Sequence, residues 1–469
     1  MIYIYFIPDG DTDAYAHHII ARDILANPLN IDVHWVWLPL FHYLQAGLVF
    51  LGGEMQLYRY LNVFIWMPVP VITYIMVRDS SSENTSALTA FFLTALSPIG
   101  LLMGTTAQPE PLFALLIILF VYFSENKKFF ISSIFLAAAC LLRYEAWAVL
   151  GFTGLYLLWN YFIGIKNKAG RSDLLKSFLI IILPLAAVIA WILIRLHFDG
   201  RLFAFLTGTQ KFANDALQQS SSLSGGPLKV LQDLIHYPVW IPVMFMGINF
   251  VFVLLGIRET LQKHKWLVVS GTAILFFITL SWLMKSTLGL NRHFAAIVPF
   301  YGVMAGYGIS KVLLYSERIF TSGNSHNIAK KVIFTVSGTA VLFYLAMWSF
   351  IWTDLHKSGF PPQKTAAEFL RTLPSDSRII CNDGIVEVLS GLDYRRFDHF
   401  WLTDKPRTET EQHITQSAAG NRNLYIIAKR QTIDILRGYG DVIFTSPADI
   451  KSGEIIYIIH AGIVTTQHQ

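Results

Sequence analysis

Residues 177–197 read SFLIIILPLAAVIAWILIRLH, a run in which Arg195 is the only Asp, Glu, Lys or Arg. A helix of about 20 apolar residues covers the roughly 30 Å hydrocarbon core of a bilayer, so this stretch predicts a membrane crossing. Working outward from it, further apolar runs fall at 58–77, 85–104, 110–124, 129–142, 146–163, 238–257, 266–284, 294–315 and 331–352. Those at 110–124 and 129–142 are the shortest. Composition agrees: 54% of residues are hydrophobic and only 14% charged, with a mean hydropathy of +0.48. Soluble domains carry about 25% charged residues, which excludes an ordinary soluble enzyme. The net charge of +5 is small and fits lysines in cytoplasmic loops better than a nucleic-acid footprint. Cys140 lies in an apolar run and Cys381 in a polar tail, so neither a disulfide framework nor a zinc site follows.

The basic residues set an orientation. Arg78, Lys127 and Lys128, then Lys166, Lys168, Arg171 and Lys176, then Arg258, Lys263 and Lys265, then Arg318, Lys330 and Lys331 fall in alternate loops, which are cytoplasmic by the positive-inside rule. Segments 9–57, 198–237, 285–293 and everything after 353 are then extracytoplasmic. The apolar stretch 37–53 carries Pro39, His42 and Gln45, and reads as a helix lying along the membrane surface. Met1–Pro8 is too short to cross and has neither a basic leader nor a cleavage site. It reads either as an interfacial stub or, in the favoured reading, as the remnant of a first transmembrane helix, which would restore a cytoplasmic start. The tail alternates a helix at 364–373 with strands at 378–382, 423–429, 441–446 and 454–462, and has no glycine-rich nucleotide fingerprint. The expected organisation is a transmembrane helical domain at 1–352, with surface helices in its outer loop at 9–57, followed by a small extracytoplasmic α/β domain at 353–469.

The ionisable residues gather at the outer boundary. Residues 8–25, PDGDTDAYAHHIIARDIL, place Asp9, Asp11 and Asp13 just beyond the first apolar residues, and Asp13 and His17 share a face if a helix begins near Thr12. Carboxylates at a membrane edge are costly unless solvated, paired or metal-bound. A solvated loop accounts for any one of them more easily than for all three. Glu110 sits between Pro109 and Pro111 in GTTAQPEPL, where it either complements a helix dipole or joins the Asp cluster across space. Arg143 and Glu145 interrupt an apolar run in LLRYEAWAVL, as a functional site or as a structural pair. Outward-facing cations are Arg59, Arg201, Lys211, Lys285 and Arg292, the last beside His293 in NRHFAAIVPFYG.

These segments resemble the GT-C glycosyltransferases, a superfamily that includes protein O-mannosyltransferases, the lipid A aminoarabinose transferase and the oligosaccharyltransferase catalytic subunit. DTDAYAHHIIARDIL (11–25) is similar to their acidic first outer loop. The stretch from His34, HWVWLPLFHYLQAGLVFLGG, resembles the proline-led surface helix that follows, with Arg59 opening the next crossing. GTTAQPEPL lies where several members carry a second acidic motif, and NRHFAAIVPFYG is similar to the arginine–aromatic–proline run of a late helix.

The resemblance implies a mainly α, polytopic bundle with a small C-terminal α/β domain. It implies transfer of a monosaccharide from a polyprenyl-phosphate donor to a hydroxyl on an acceptor protein, lipid or glycan, at the outer face of a prokaryotic plasma membrane. Asp13 matches the catalytic carboxylate best and Asp11 next. Asp9, His17, His34, Arg59, Glu110, Arg143, Glu145 and Arg292 are the substrate-binding candidates. The family is divided on metal use; a divalent Mg or Mn ion would have Asp11, Asp13 and Glu110 as its ligand set. The tail lacks a Trp-Trp-Asp signature, which argues against whole-glycan transfer to asparagine. The rival reading is a multi-pass transporter or flippase of a lipid-linked or anionic substrate. That design calls for midplane charges and inverted repeats, whereas here the charges lie at one boundary and no repeat is visible. A third reading, ten helices serving only to anchor the tail, uses far more membrane than anchoring requires.

Overall fold

The computed structural model describes residues 2–81, 84–167, 176–203, 207–211, 213, 227–319, 323–357, 359–381, 383–399, 407–418, 423–430, 432–449 and 452–461. Lys168 and Arg171 lie outside them. The protein is 76% helical, a polytopic membrane bundle with a small sheet near its C-terminus. It forms two compact units, Met1–Tyr5 with Leu29–Thr353, and Phe6–Pro28 with Asp354–Gln469.

Among the described residues seven helices are long and apolar enough to cross a membrane: Met55–Ser80, Glu145–Ile163, Leu179–Asp199, Lys229–Lys263, Lys265–Leu283, Asn291–Ile319 and Asn327–His356. Asn84–Ala95 and Pro98–Gly104 form an eighth candidate, bent by 51°. The break has a local cause: Ser97 precedes Pro98 and is extended (φ −61°, ψ 121°), because the proline ring disfavours helical backbone before it. The two remaining runs of the expected ten form helices of 16 residues, Glu110–Glu125, and 12 residues, Phe129–Cys140. At 1.5 Å per residue these fall short of the bilayer core. Hydropathy marks an apolar environment, and other helices supply that environment as well as lipid does. Phe113, Ile117, Ile118, Phe120 and Val121 on the Glu110–Glu125 helix are all fully buried.

Burial also separates central from peripheral helices. The Asn291–Ile319 window is 78% buried, whereas the Asn327–His356 window is 6% buried and turns its side chains outward. The central contact is glycine-mediated. A Cβ on Gly256 would lie 1.8 Å from the Met304 carbonyl oxygen, and one on Gly308 would lie 1.9 Å from that of Phe252, so only hydrogen fits at either position.

The second unit is built on a five-stranded sheet of β1 (Arg378–Cys381), β2 (Phe397–His399), β3 (Leu424–Lys429), β4 (Asp441–Thr445) and β5 (Ile456–Ala461), in the order β2-β1-β3-β5-β4. β1 runs parallel to β2 and β3, and β5 is antiparallel to β3 and β4. Four strands coincide with those expected from sequence, and β2 is additional. Ile379, Ile427 and Ile458 pack against Ala366 and Leu370 on one face, and Ile380, Ile426 and Ile459 against Ile414 and Leu436 on the other. The break between units lies beside the expected boundary at 352/353, but the Thr12–Ala26 helix goes with the tail. Its apolar face explains this. Ala14, Tyr15, Ile19 and Ile24 are buried, and a Cβ on Gly384 would lie 2.3 Å from Ile19 Cδ1.

Candidate functional site

The acids of the first segment are held by the start of the Thr12–Ala26 helix. Asp11 is its N-cap, its Oδ1 accepting the Asp13 amide at 3.1 Å, and Asp9 Oδ1 accepts the Asp11 amide at 3.2 Å. Asp9 is buried, and its carbonyl accepts the Tyr15 hydroxyl at 3.1 Å. Within the same unit the Gly10 amide donates to His356 Nδ1 at 3.1 Å. Asp11 and Asp13 remain half-buried, and His17, one turn beyond Asp13, is buried. Asp9, Asp11, Asp13 and His17 therefore sit together on one helix start.

His34, Arg59, Glu110, Arg143, Glu145 and Arg292 belong to the other unit, and four of them meet. Arg143 lies between the Phe129–Cys140 and Glu145–Asn167 helices, where the backbone leaves helical geometry and Trp147 Nε1 donates to the open Cys140 carbonyl at 2.8 Å. From there its guanidinium donates to Glu110 Oε1 at 2.7 Å and to Glu145 Oε1 at 2.7 Å. The same group lies 2.6 Å from His293 Nδ1 and 5.8 Å from the centre of the Phe113 ring. His293 Nδ1 is also 3.3 Å from Glu145 Oε1, and Arg292 Nε is 3.5 Å from Glu110 Oε1. The Tyr237 hydroxyl fixes the approach to Arg292 by donating to the Leu290 carbonyl at 3.1 Å. Burial disfavours the Arg143 charge, but the Glu145 and then the Glu110 carboxylates outweigh it and hold its pKa above the ordinary arginine value. Glu110 Oε2, by contrast, is buried with no hydrogen-bond partner among the described residues.

Glu110 has no basic partner near it in sequence; Arg143 and Arg292 reach it only through the fold. His293 is the residue that sequence reasoning missed as a site member. Its one signal was adjacency to Arg292. The Thr105–Gln108 turn that delivers Glu110 leaves carbonyls open. Asn62 Nδ2 donates to Thr106 and Gln108 oxygens at 2.8 Å each, and Arg59 Nε to the Thr105 oxygen at 2.7 Å. Arg59 is 1% exposed and also reaches Gln56 Oε1 at 3.1 Å, so it braces this turn. Lys285 is held by Asp233 at 2.7 Å and lies over Trp282. His34 stands apart from the ion pairs, stacked on His42 with ring centroids 5.1 Å apart.

Asp11 and Asp13 fall in one unit and Glu110 in the other. Among the described residues no three His, Cys, Asp or Glu side chains gather as a metal site. The expected ligand set therefore does not form a site within either unit.

Fold and site together define a multi-pass membrane protein in which Glu110, Arg143, Glu145 and Arg292 form one buried charge network. The same fold is found in solved proteins that share little sequence with it. ArnT from Cupriavidus metallidurans in the apo state superposes with a TM-score of 0.60 at 13% identity, covering 97% of this chain and 96% of that one. The same protein bound to undecaprenyl phosphate gives 0.59 at 12% identity, again covering 97% and 96%. The archaeal oligosaccharyltransferase AglB from Archaeoglobus fulgidus, in complex with an inhibitory peptide and a dolichol-phosphate, gives 0.52 at 12% identity over 96% of this chain and 70% of its own. No protein-family model and no curated protein matches the sequence. At such identities the likeness speaks for the fold.

Proposed function

We propose that this protein is a membrane glycosyltransferase that moves a monosaccharide from a polyprenyl-phosphate donor to an acceptor hydroxyl at the outer face of a prokaryotic plasma membrane. The observation that carries the reading is the end-to-end likeness to a protein solved with undecaprenyl phosphate, over 97% of this chain and 96% of that one. The charge network supports it, because Glu110, Glu145 and Arg292 all sit at helix starts. In this mechanism Asp13, or Asp11, takes the proton of the acceptor hydroxyl as general base. The hydroxyl oxygen bonds to the anomeric carbon as the bond from that carbon to the phosphate oxygen breaks, which inverts the configuration. Within the bundle unit, Glu110 and Glu145 hold the Arg143 and Arg292 guanidiniums, cations of the kind that neutralise an anionic leaving group. Asp9 and His17 support the base from its own helix start. The tail belongs on the extracytoplasmic side in this scheme.

The test is transfer in membranes from radiolabelled polyprenyl-phosphate sugars by Asp11→Asn and Asp13→Asn variants. Asparagine keeps the N-cap oxygen at position 11, so lost activity reports on the charge. The base variant is expected to lose about 10²–10⁴-fold in rate. Full activity in both would end the assignment.

A further inference from the structure

The surface helix Pro39–Phe50 is inverted relative to a soluble amphipathic helix. Its polar residues His42 and Gln45 face inward at 0% and 1% exposure, while Leu44, Phe50 and the following Leu51 are exposed. His42 and Gln45 are one turn apart and share a face. His34, also fully buried, packs against His42, and the edge of Trp191 meets His34 with centroids 5.7 Å apart. Trp37 closes on His42 at 5.9 Å and Tyr43 on His34 at 5.5 Å, Trp37 half-buried and Tyr43 exposed.

This cluster has unused hydrogen-bonding capacity. His34 Nε2, both side-chain polar atoms of Gln45 and Trp191 Nε1 are buried without a hydrogen-bond partner among the described residues. Native proteins rarely leave such groups unmet, because each one costs stability. The free groups include an N–H that only donates, an amide that does both, and an imidazole nitrogen whose role follows its tautomer. None carries charge. His34 Nδ1 and His42 Nδ1 are 2.8 Å apart, so one ring donates and the other accepts. Burial, and then the charge of Arg195, push the His34 pKa down to about 4, which keeps the ring neutral. Arg195 itself is paired with Asp199 at 2.9 Å and donates to the Ile31 carbonyl at 3.2 Å.

We infer that His34, His42, Gln45 and Trp191 form a recognition subsite for an uncharged polyhydroxylated ring, the sugar carried by the donor, distinct from the charged Glu110–Arg143–Arg292 cluster. This rests on the glycosyl-transfer reading. A hydroxyl both donates and accepts, which suits paired unmet donors and acceptors, and the aromatic faces of Trp37 and Tyr43 suit the C–H face of a sugar ring. Arg195 is already paired with Asp199, so among the described residues the cluster offers a phosphate little charge. Sites that hydrogen-bond a hydroxyl also reject ligands lacking it, since their own polar groups are then left unmet.

The experiment measures binding by full-length protein in nanodiscs. The probes are a short-chain polyprenyl phosphate, the same lipid bearing mannose, galactose, N-acetylglucosamine or 4-amino-arabinose, and the methyl glycosides of these sugars. Wild type is expected to bind one sugar-bearing lipid more tightly than the bare lipid phosphate. Gln45→Leu and Trp191→Phe are each expected to weaken that lipid by about tenfold while leaving bare lipid phosphate unchanged. Trp191→Phe keeps an aromatic ring and removes the N–H, so it separates recognition from folding. Equal loss for both lipids, or no loss, overturns the subsite while the transferase reading stands. No binding of any lipid sinks the transferase reading, and the methyl glycosides then decide the subsite: one bound by wild type and weakened in both variants upholds it, and none bound overturns it.

Discussion

Removing Arg143 is the sharpest probe of the charged network. Its guanidinium joins Glu110 at 2.7 Å and Glu145 at 2.7 Å, with side-chain exposures of 12%, 2% and 7% respectively. Deleting one partner of a buried ion pair costs about 3–5 kcal/mol, mostly for the charge left behind. Arg143→Gln leaves two carboxylates. Arg292, at 3.5 Å from Glu110, and His293, at 3.3 Å from Glu145, still offer partial compensation, so the lower end, about 3 kcal/mol, is expected. The double variant Arg143→Gln/Glu145→Gln removes one of those stranded charges and is expected to be more stable than Arg143→Gln alone. Denaturant unfolding in mixed micelles, followed by tryptophan fluorescence, gives the four corners of the cycle. A coupling above about 1 kcal/mol supports the network, since contacting residues couple by roughly 0.5–3 kcal/mol. Additive losses would refute it. Arg143→Lys keeps the charge but not the fork that reaches two carboxylates and an imidazole, and is expected to fall between wild type and Arg143→Gln.

Two further outcomes follow from packing and titration. Gly256→Ala and Gly308→Ala each place a methyl group within 2 Å of a facing carbonyl oxygen, so both are expected to lower the thermal midpoint in detergent, whereas Gly151→Ala, with open space around it, is not. His18 is 1% exposed, and burial, followed by the charge of Arg22, lowers its pKa from 6.5 to about 3. The folded unit keeps this ring neutral while the unfolded chain protonates it below 6.5. Stability is therefore full above about pH 6.5 and falls as the pH drops towards 3, by about 1.4 kcal/mol per unit at most. Hydrogen exchange of the β1 and β3 amides between pH 7 and 5 checks this; His18→Gln should flatten the dependence, and an unchanged slope would remove His18 as its source.

The sequence by itself determined the class of fold. Apolar runs of bilayer length are a one-dimensional signal, set by the thickness of the solvent they must cross, and the alternating tail strands are equally local. It also marked Asp11, Asp13, Glu110, Arg143, Glu145 and Arg292 as chemistry-bearing, because charges are sparse enough in this chain to stand out. Tertiary structure alone decided which of them meet. Glu110 finds Arg143 across 33 positions, and Arg143 finds His293 across 150, separations at which no periodicity carries information. It decided too that Arg59 serves backbone carbonyls, that two apolar runs stop short of a full crossing, and that the Thr12–Ala26 helix with its acids belongs to the C-terminal unit. Hydropathy reports how much water a side chain avoids. It does not report whether lipid, a neighbouring helix or a distant strand takes the water's place.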